Sequence, residues 1–334
     1  MSYRDMRRAL RLEETEGIPV WFMRQAGRYM RAYRDVRKRY TIRQVCMLPD
    51  VVSEVMEAPV QRLGVDAAIL FSDITLPLEY IGMHVEFQEG IGPVVSGPVP
   101  WGREVEVRPD VFPLRGSVEA FRKRDPDVPV IGFCGGPLTV LSYVLSTGTD
   151  RELEVTRKFM LTRREEFMEA ISNISAALLQ AAREQVSGGV DAVQVFDSWL
   201  GALSPSTIRN FYLEALRDFV SSVRELGKPV IFFSTGTSGY LEVLRELDAD
   251  IYSLDWRVDL ARASSVLRDR GIQGNLDPYV VSASREECIR EAMEIKERMK
   301  GRAGYIFNLG HGVRPDTDEE TLRALAETVH GGGA

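Results

Sequence analysis

Eight short apolar runs of strand length recur along the chain, each separated from the next by enough residues for a helix. They are Ile18 to Met23, Ala67 to Phe71, Val128 to Cys134, Asp191 to Phe196, Pro229 to Phe233, Ile251 to Leu254, Ile272 to Asn275 and Tyr305 to Leu309. This repeat constrains the fold more than any other feature, because parallel strands need a crossover of about helix length between them. The runs lack strict polar alternation, as strands buried on both faces should. Between them lie stretches such as Arg151 to Gln185 and Glu286 to Lys300, rich in Ala, Leu, Glu, Arg and Met, which favour helices. Eight βα units predict an α/β fold of the (β/α)8 TIM-barrel type rather than a doubly wound open sheet, which has fewer strands and a switch point. We expect one catalytic domain over residues 1–330 and a frayed, disordered tail from Gly331 to Ala334.

The segment from Thr75 to Asp127 is too long for a simple βα connection. It is broken by Pro77, Gly90, Gly92, Pro93, Gly97, Pro98 and Pro100. The expectation is an insertion after the second strand, carrying a hairpin over the barrel mouth and a helix near Ser117 to Lys123.

Composition narrows the class. With 44% hydrophobic and 27% charged residues, the chain is globular in type rather than disordered or collagenous. Its first sixteen residues carry Arg4, Asp5, Arg7, Arg8, Arg11, Glu13 and Glu14 and so hold no apolar signal core. No run approaches membrane-spanning length. The expected location is the cytoplasm, with no membrane partner. Cys46, Cys134 and Cys288 are odd in number and far apart, a pattern of neither a disulfide framework nor a paired-cysteine zinc site, and no metal is expected.

The formal charge of −7 argues against a general nucleic-acid binder. Residues 24–43 run the other way. They hold Arg24, Arg28, Arg31, Arg34, Arg37, Lys38, Arg39 and Arg43 against the single acid Asp35. A solvated helix face and a site for a strongly anionic ligand both account for such a run, and charge alone favours the first.

In a barrel of this type the chemistry sits at the carboxyl ends of the strands. The runs end, in order, in Arg24-Gln25-Ala26-Gly27-Arg28, Ser72-Asp73, Gly135-Gly136-Pro137, Asp197-Ser198, Ser234-Thr235-Gly236, Asp255, Asp277 and Gly310-His311-Gly312. Helix capping explains Asp255 and Asp277 taken singly. It explains Asp73 less well, since no helix start is evident after Ile74. His311, between two glycines, suits a structural and a ligand-facing role equally. Gly274 and Gly310 to Gly312 also fit a phosphosugar-binding barrel enzyme, whose phosphate is held by the last two loops; that reading leaves the arginines of the first run without a task. A Schiff-base aldolase is disfavoured, because no lysine ends a run and Lys228 precedes its own.

The stretch Pro19-Val20-Trp21-Phe22-Met23-Arg24-Gln25-Ala26-Gly27-Arg28-Tyr29 is similar to the amino-terminal signature of uroporphyrinogen decarboxylases. Further similar stretches follow in order: Phe71 to Ile74, Gly132-Phe133 through Gly136-Pro137 with Thr139, Phe196 to Trp199 with Gly201, Gln273 to Pro278, and Asn308 to Gly312. The resemblance implies a (β/α)8 barrel that assembles as a homodimer. It also implies conversion of the four acetate side chains of uroporphyrinogen III to methyls, giving coproporphyrinogen III and four CO2 in tetrapyrrole biosynthesis, without a cofactor. By resemblance, Arg24, Arg28, Asp73, Tyr143, Ser198 and His311 fall on active-site positions, and Gln25 and Phe133 line the same cleft. Arg24 and Arg28 would bind carboxylates. Asp73 would take the pyrrole N–H groups, Tyr143 and Ser198 would bind carboxylates or the acid, and either Arg24 or His311 would donate the proton.

The chain departs from the family pattern at Met30-Arg31-Ala32-Tyr33, where Leu-Pro-Glu-Tyr is common. A corrinoid-related methyltransferase of the same superfamily is the nearest rival, but its zinc site uses His-x-Cys. Here His84, His311 and His330 are followed two residues later by Glu86, Val313 and Gly332.

Overall fold

The computed structural model describes residues 2–146, 150 and 152–331. Among the described residues nine strands form: β1 (Ala68–Ile69), β2 (His84–Gln88), β3 (Gly92–Ser96), β4 (Val130–Gly135), β5 (Ala192–Phe196), β6 (Val230–Phe233), β7 (Ile251–Ser253), β8 (Gly271–Gln273) and β9 (Tyr305–Ile306). Seven of them make one curled parallel sheet in the order β1-β4-β5-β6-β7-β8-β9, while β2 and β3 pair separately as an antiparallel hairpin. The register runs without a break, for example Cys134 opposite Val195 and Val195 opposite Phe232. Helices separate the parallel strands, as the crossover requires.

Seven of the eight runs seen in the sequence contain these parallel strands. The first, Ile18 to Met23, is not a regular strand and pairs only through an isolated parallel bridge from Val20 to Phe307. Its position is nevertheless fixed on both sides. Trp21 N–H donates to Phe307 O at 3.3 Å, Phe307 N–H to Pro19 O at 2.9 Å, and Asp66 N–H to Val20 O at 2.7 Å. The segment therefore lies between β9 and the start of β1. It lacks a ladder because its donors are spent on side chains: Val20 N–H on Asp66 (2.9 Å), Phe22 N–H on Gln25 (3.2 Å) and Met23 N–H on Asn308 (3.0 Å). Pro19 has no N–H to give.

The expected helix Arg151 to Gln185 is two helices, Glu154–Thr162 and Arg164–Gly188, divided where Arg163 leaves the helical region; Arg151 itself lies outside the described residues. Helices Arg285–Met299 and Leu114–Arg124 occupy the other two expected stretches. Of the carboxyl-terminal tail, Gly331 closes helix Glu319–His330 in a left-handed cap, and residues 332–334 lie outside the described residues.

The sheet's interior is polar at one level. Trp21 Nε1–H donates to Gln273 Oε1 (2.9 Å), and Gln273 Nε2–H donates to Gln194 Oε1 (3.1 Å) and Ser253 Oγ (2.9 Å). All four residues are buried. Each donor meets an acceptor, so the layer fixes the relative heights of the first run, β5, β7 and β8.

Candidate active site

Arg24 and Arg28 leave the first run at its carboxyl end, and both are exposed. Arg24 sits in the left-handed region at φ 58, a conformation that costs a non-glycine residue about 1–3 kcal/mol and persists only where neighbours enforce it. Those neighbours are visible. Asn308 holds Met23 N–H, and Val313 N–H donates to Met23 O at 2.8 Å. The arginine side chain then lies across Gly312, where a Cβ would stand 2.4 Å from Arg24 Cδ. The absence of a Cβ at Gly312 lets the arginine pack closely against the residue that follows His311.

The charge run resolves into two kinds of arginine. Arg31, Lys38, Arg39 and Arg43 pair with Asp35, Asp35, Glu54 and Glu79. Arg34 and Arg37 donate to main-chain carbonyls. Arg24 and Arg28 have no ion pair among the described residues. They are the two cations of the run left for an anion, and the same two that the family resemblance, though not charge alone, singles out. Helix Arg31–Arg39 begins without a side-chain cap or a proline in its first turn, which is the local result of the Met30-Arg31-Ala32 departure.

Asp73 follows β1 and is half-buried. Its Oδ1 accepts two hydrogen bonds from Thr75, from N–H at 2.9 Å and from the hydroxyl at 2.6 Å. A short 3-10 helix, Leu76–Ile81, does begin after Ile74, against expectation, but its N-cap is Thr75 and no side chain caps it, so Asp73 shapes the turn before the helix rather than capping it. Oδ2 accepts no hydrogen bond from the described residues. Burial raises the Asp73 pKa, opposed by the two Thr75 bonds and by the positive charge of Arg24. Arg24 thus acts on Asp73 by charge and packs against Gly312, the residue after His311.

Beneath them runs a line of aromatic rings. Phe133 of β4 meets Phe196 of β5 edge-on at 5.7 Å, Phe196 meets Phe233 of β6 at 5.7 Å, and Phe233 meets His311 at 5.9 Å. Phe133 and Phe196 keep part of their surface open, which offers an apolar floor to a flat or puckered ring. His311 Nδ1 accepts from Gly312 N–H at 2.8 Å, which assigns the ring proton to Nε2.

Tyr143 and Ser198 are half-buried and belong to elements tied together by Asp197. Fully buried, Asp197 accepts from Thr139 N–H and hydroxyl (2.9 and 2.8 Å) and from the Tyr212 hydroxyl (2.7 Å). It anchors helix Pro137–Leu145, which carries Tyr143, to the turn that carries Ser198. Gly136 is required beside it, since a Cβ would fall 2.2 Å from Asp197 Cβ. A supporting carboxylate of this kind has no sequence signal beyond its place after a strand.

Gln25 behaves differently from the expectation. It is 1% exposed, its Nε2–H donates to Ala67 O at 3.0 Å, and its Oε1 holds Phe22 N–H. Its amide braces the first run against β1. Asp255 and Asp277 have structural partners: Asp255 holds Gly236 N–H and Arg257, and Asp277 caps helix Pro278–Ala283. A cavity of about 340 Å³ opens beside the strand ends, but Asp259, Asp277, Glu291 and Glu294 line it, and none of the expected site residues does. Among the described residues, no three His, Cys, Asp or Glu side chains gather as metal ligands. Burial pushes the thiols of Cys46 and Cys288 up to about 12.

A parallel α/β scaffold that carries, among the described residues, two arginines without an ion pair, a carboxylate with a free oxygen and half-open aromatic rings at its strand ends has the layout of an enzyme of the barrel type. The chain belongs to the uroporphyrinogen decarboxylase family: the model described as Uroporphyrinogen decarboxylase (URO-D) matches residues 1–332. It is 42% identical over 330 residues to the uroporphyrinogen decarboxylase of Thermoplasma acidophilum, covering 97% of this chain and 98% of that one. It is 40% identical over 327 residues to a Thermus thermophilus protein of the same name, covering 96% of each. Among solved structures, a methyltransferase from Methanosarcina mazei superposes with a TM-score of 0.78 at 20% identity over 97% of both chains. That last likeness is one of fold alone.

Proposed function

We propose that this chain is a carboxy-lyase that converts the four acetate side chains of uroporphyrinogen III to methyls, giving coproporphyrinogen III and four CO2. The observation that carries this reading is Asp73 at the end of β1, with one oxygen unengaged by the described residues and the positive charge of Arg24 acting on it. A substrate with eight carboxylates needs cations, and arginine forks bind carboxylates bidentately. Arg24 and Arg28 serve that purpose. Tyr143 and Ser198 hydrogen-bond further carboxylates or the acid.

Each decarboxylation breaks the bond between the acetate methylene and its carboxylate carbon, and the electron pair left behind needs a sink. Protonating a pyrrole ring carbon supplies one. The pair flows into the cationic ring, CO2 departs, a proton adds at the methylene, and the ring carbon returns its proton. One proton is consumed per CO2, and no pyridoxal phosphate, thiamine or metal is required. Asp73 accepts the pyrrole N–H groups and opposes the ring's positive charge at the stage where it is greatest. Either Arg24 or His311 donates the proton; a guanidinium of pKa above about 12 is a poor donor, and His311 would have to be protonated at both ring nitrogens to serve. Arg24 acts on carboxylates in either case.

We further propose that the sheet closes into a (β/α)8 barrel through the first run, as a single catalytic domain over residues 1–330 with the β2–β3 hairpin inserted at the mouth. The Val20–Phe307 bridge on one flank and the hydrogen bond from Asp66 N–H to Val20 O on the other support closure. The enzyme works in the cytoplasm as a homodimer; no described helix is long and apolar enough to cross a membrane. The test is an anaerobic assay with uroporphyrinogen III and a strong chelator, with products resolved by carboxylate number. Stepwise loss down to coproporphyrinogen is expected. A need for added zinc, corrinoid or pyridoxal phosphate would overturn the proposal.

A further inference from the structure

We propose that Thr75 is a positioning residue for the decarboxylation: it ties down one oxygen of Asp73 with two hydrogen bonds, so that the other oxygen meets the substrate's pyrrole N–H groups. The inference rests on the role given to Asp73 above. Thr75 is fully buried, and both its N–H (2.9 Å) and its hydroxyl (2.6 Å) reach the same Oδ1. A carboxylate has about four acceptor sites on two oxygens. Here two donors from one residue engage one oxygen, and no described residue donates to the other.

The anchor is itself rigid. A β-branched side chain has restricted χ1 freedom, and Thr75 is followed by Leu76, Pro77 and Leu78, all buried. Leu78 N–H donates to Thr75 O at 3.0 Å and Leu76 N–H to Asp73 O at 3.3 Å, so the 3-10 turn fixes both residues. The aspartate cannot rotate without breaking two bonds to a buried partner. Preorganisation of this kind separates a transition-state stabiliser from a mobile surface acid.

Thr75 has a second effect, on charge. Burial raises the Asp73 pKa and thus favours the neutral form, which is unsuited to opposing a ring cation. The Thr75 hydroxyl and N–H donate to the ionised form and pull the pKa back down, and Arg24 acts in the same direction. The other titratable neighbour is the buried Cys46 thiol, which is neutral at working pH and bonds to Ser72. Thr75 and Arg24 together oppose the upward push that burial gives the carboxyl group.

The test compares Thr75→Val, Thr75→Ser and Thr75→Cys in the full-length enzyme, with Asp73→Asn alongside, by anaerobic turnover of uroporphyrinogen III from about pH 5 to about pH 9. Valine keeps the shape and removes the donor. The acid limb of the kcat profile is expected to move up by about one pH unit and turnover at neutral pH to fall about tenfold, with KM within about twofold. Thr75→Ser should restore the parent profile, and Thr75→Cys should fall between, since a thiol is a weak donor. If Thr75→Val matches the parent while Asp73→Asn has lost turnover, the inference is overturned and the reading of Asp73 stands. If Asp73→Asn remains active, both fall. Should Thr75→Val not fold, the Ser and Cys variants decide: identical profiles for the two would refute the positioning role.

Discussion

Two aspartates stand at opposite ends of β1 and are used in opposite ways. Asp66, at the amino end, is completely buried and fully engaged: it accepts from Ser2 N–H, from Val20 N–H at 2.9 Å, and lies 2.6 Å from His330 Nε2. It joins the first residues, the first run and the last helix. Asp73, at the carboxyl end, keeps one oxygen unengaged by the described residues and faces an arginine without an acid partner. The contrast teaches where such a scaffold keeps its stability and where it keeps its chemistry. A satisfied carboxylate holds chain segments together, and a half-satisfied one has capacity left for a ligand.

The difference should show most at Asp66. Replacing it with Ala orphans two backbone donors and His330 in a buried setting, and should cost about 3–5 kcal/mol of stability in denaturant unfolding. The kcat of the protein that remains folded should stay within about twofold of the parent. An unchanged unfolding midpoint would remove Asp66 from its structural role. Next in size is Arg28→Ala, which should raise KM roughly tenfold and lower kcat less, as expected for binding shared by ground and transition states. Arg39→Ala, which loses the exposed pair with Glu54 and a contact over the Tyr40 ring, should change neither by more than about twofold. Equal effects of the two substitutions would mean that the unpaired arginines are not special.

The smallest effect concerns pH and stability. Burial raises the folded-state pKa of Asp73, so its contribution to stability is fully present below the unfolded value of about 4 and is lost as pH rises through the folded value. Asn cannot ionise. Asp73→Asn should therefore be at least as stable as the parent at neutral pH, and the difference should vanish in acid. A variant that melts lower at neutral pH would place Asp73 with Asp66 as a structural carboxylate.

Local pattern exposes some of this and hides the rest for identifiable reasons. Strands β4 to β8 are legible because Val, Ile and Phe cluster between helix-length segments. The first run resembles them in composition, yet its donors go to Asp66 and Asn308, partners 46 and 285 residues away that no local window can connect. The arginines are legible as a group, but the distinction between Arg28 and Arg39 depends on where Glu54 sits after folding. Gln25 lies inside a site-like motif, while its amide turns inward to Ala67 O. Asp197 is marked only by its place after a strand and Thr75 by nothing local, since their importance lies in what they hold.

The turnover of Asp73→Asn, measured anaerobically with saturating uroporphyrinogen III alongside a thermal melt, tests the role of this carboxylate most directly. Loss of a preorganised group opposing ring charge should lower kcat by about 10²–10³ with an unimpaired melt. Near-parent turnover in a normally folded variant would contradict it, leaving Asp73 as no more than the first residue of a turn.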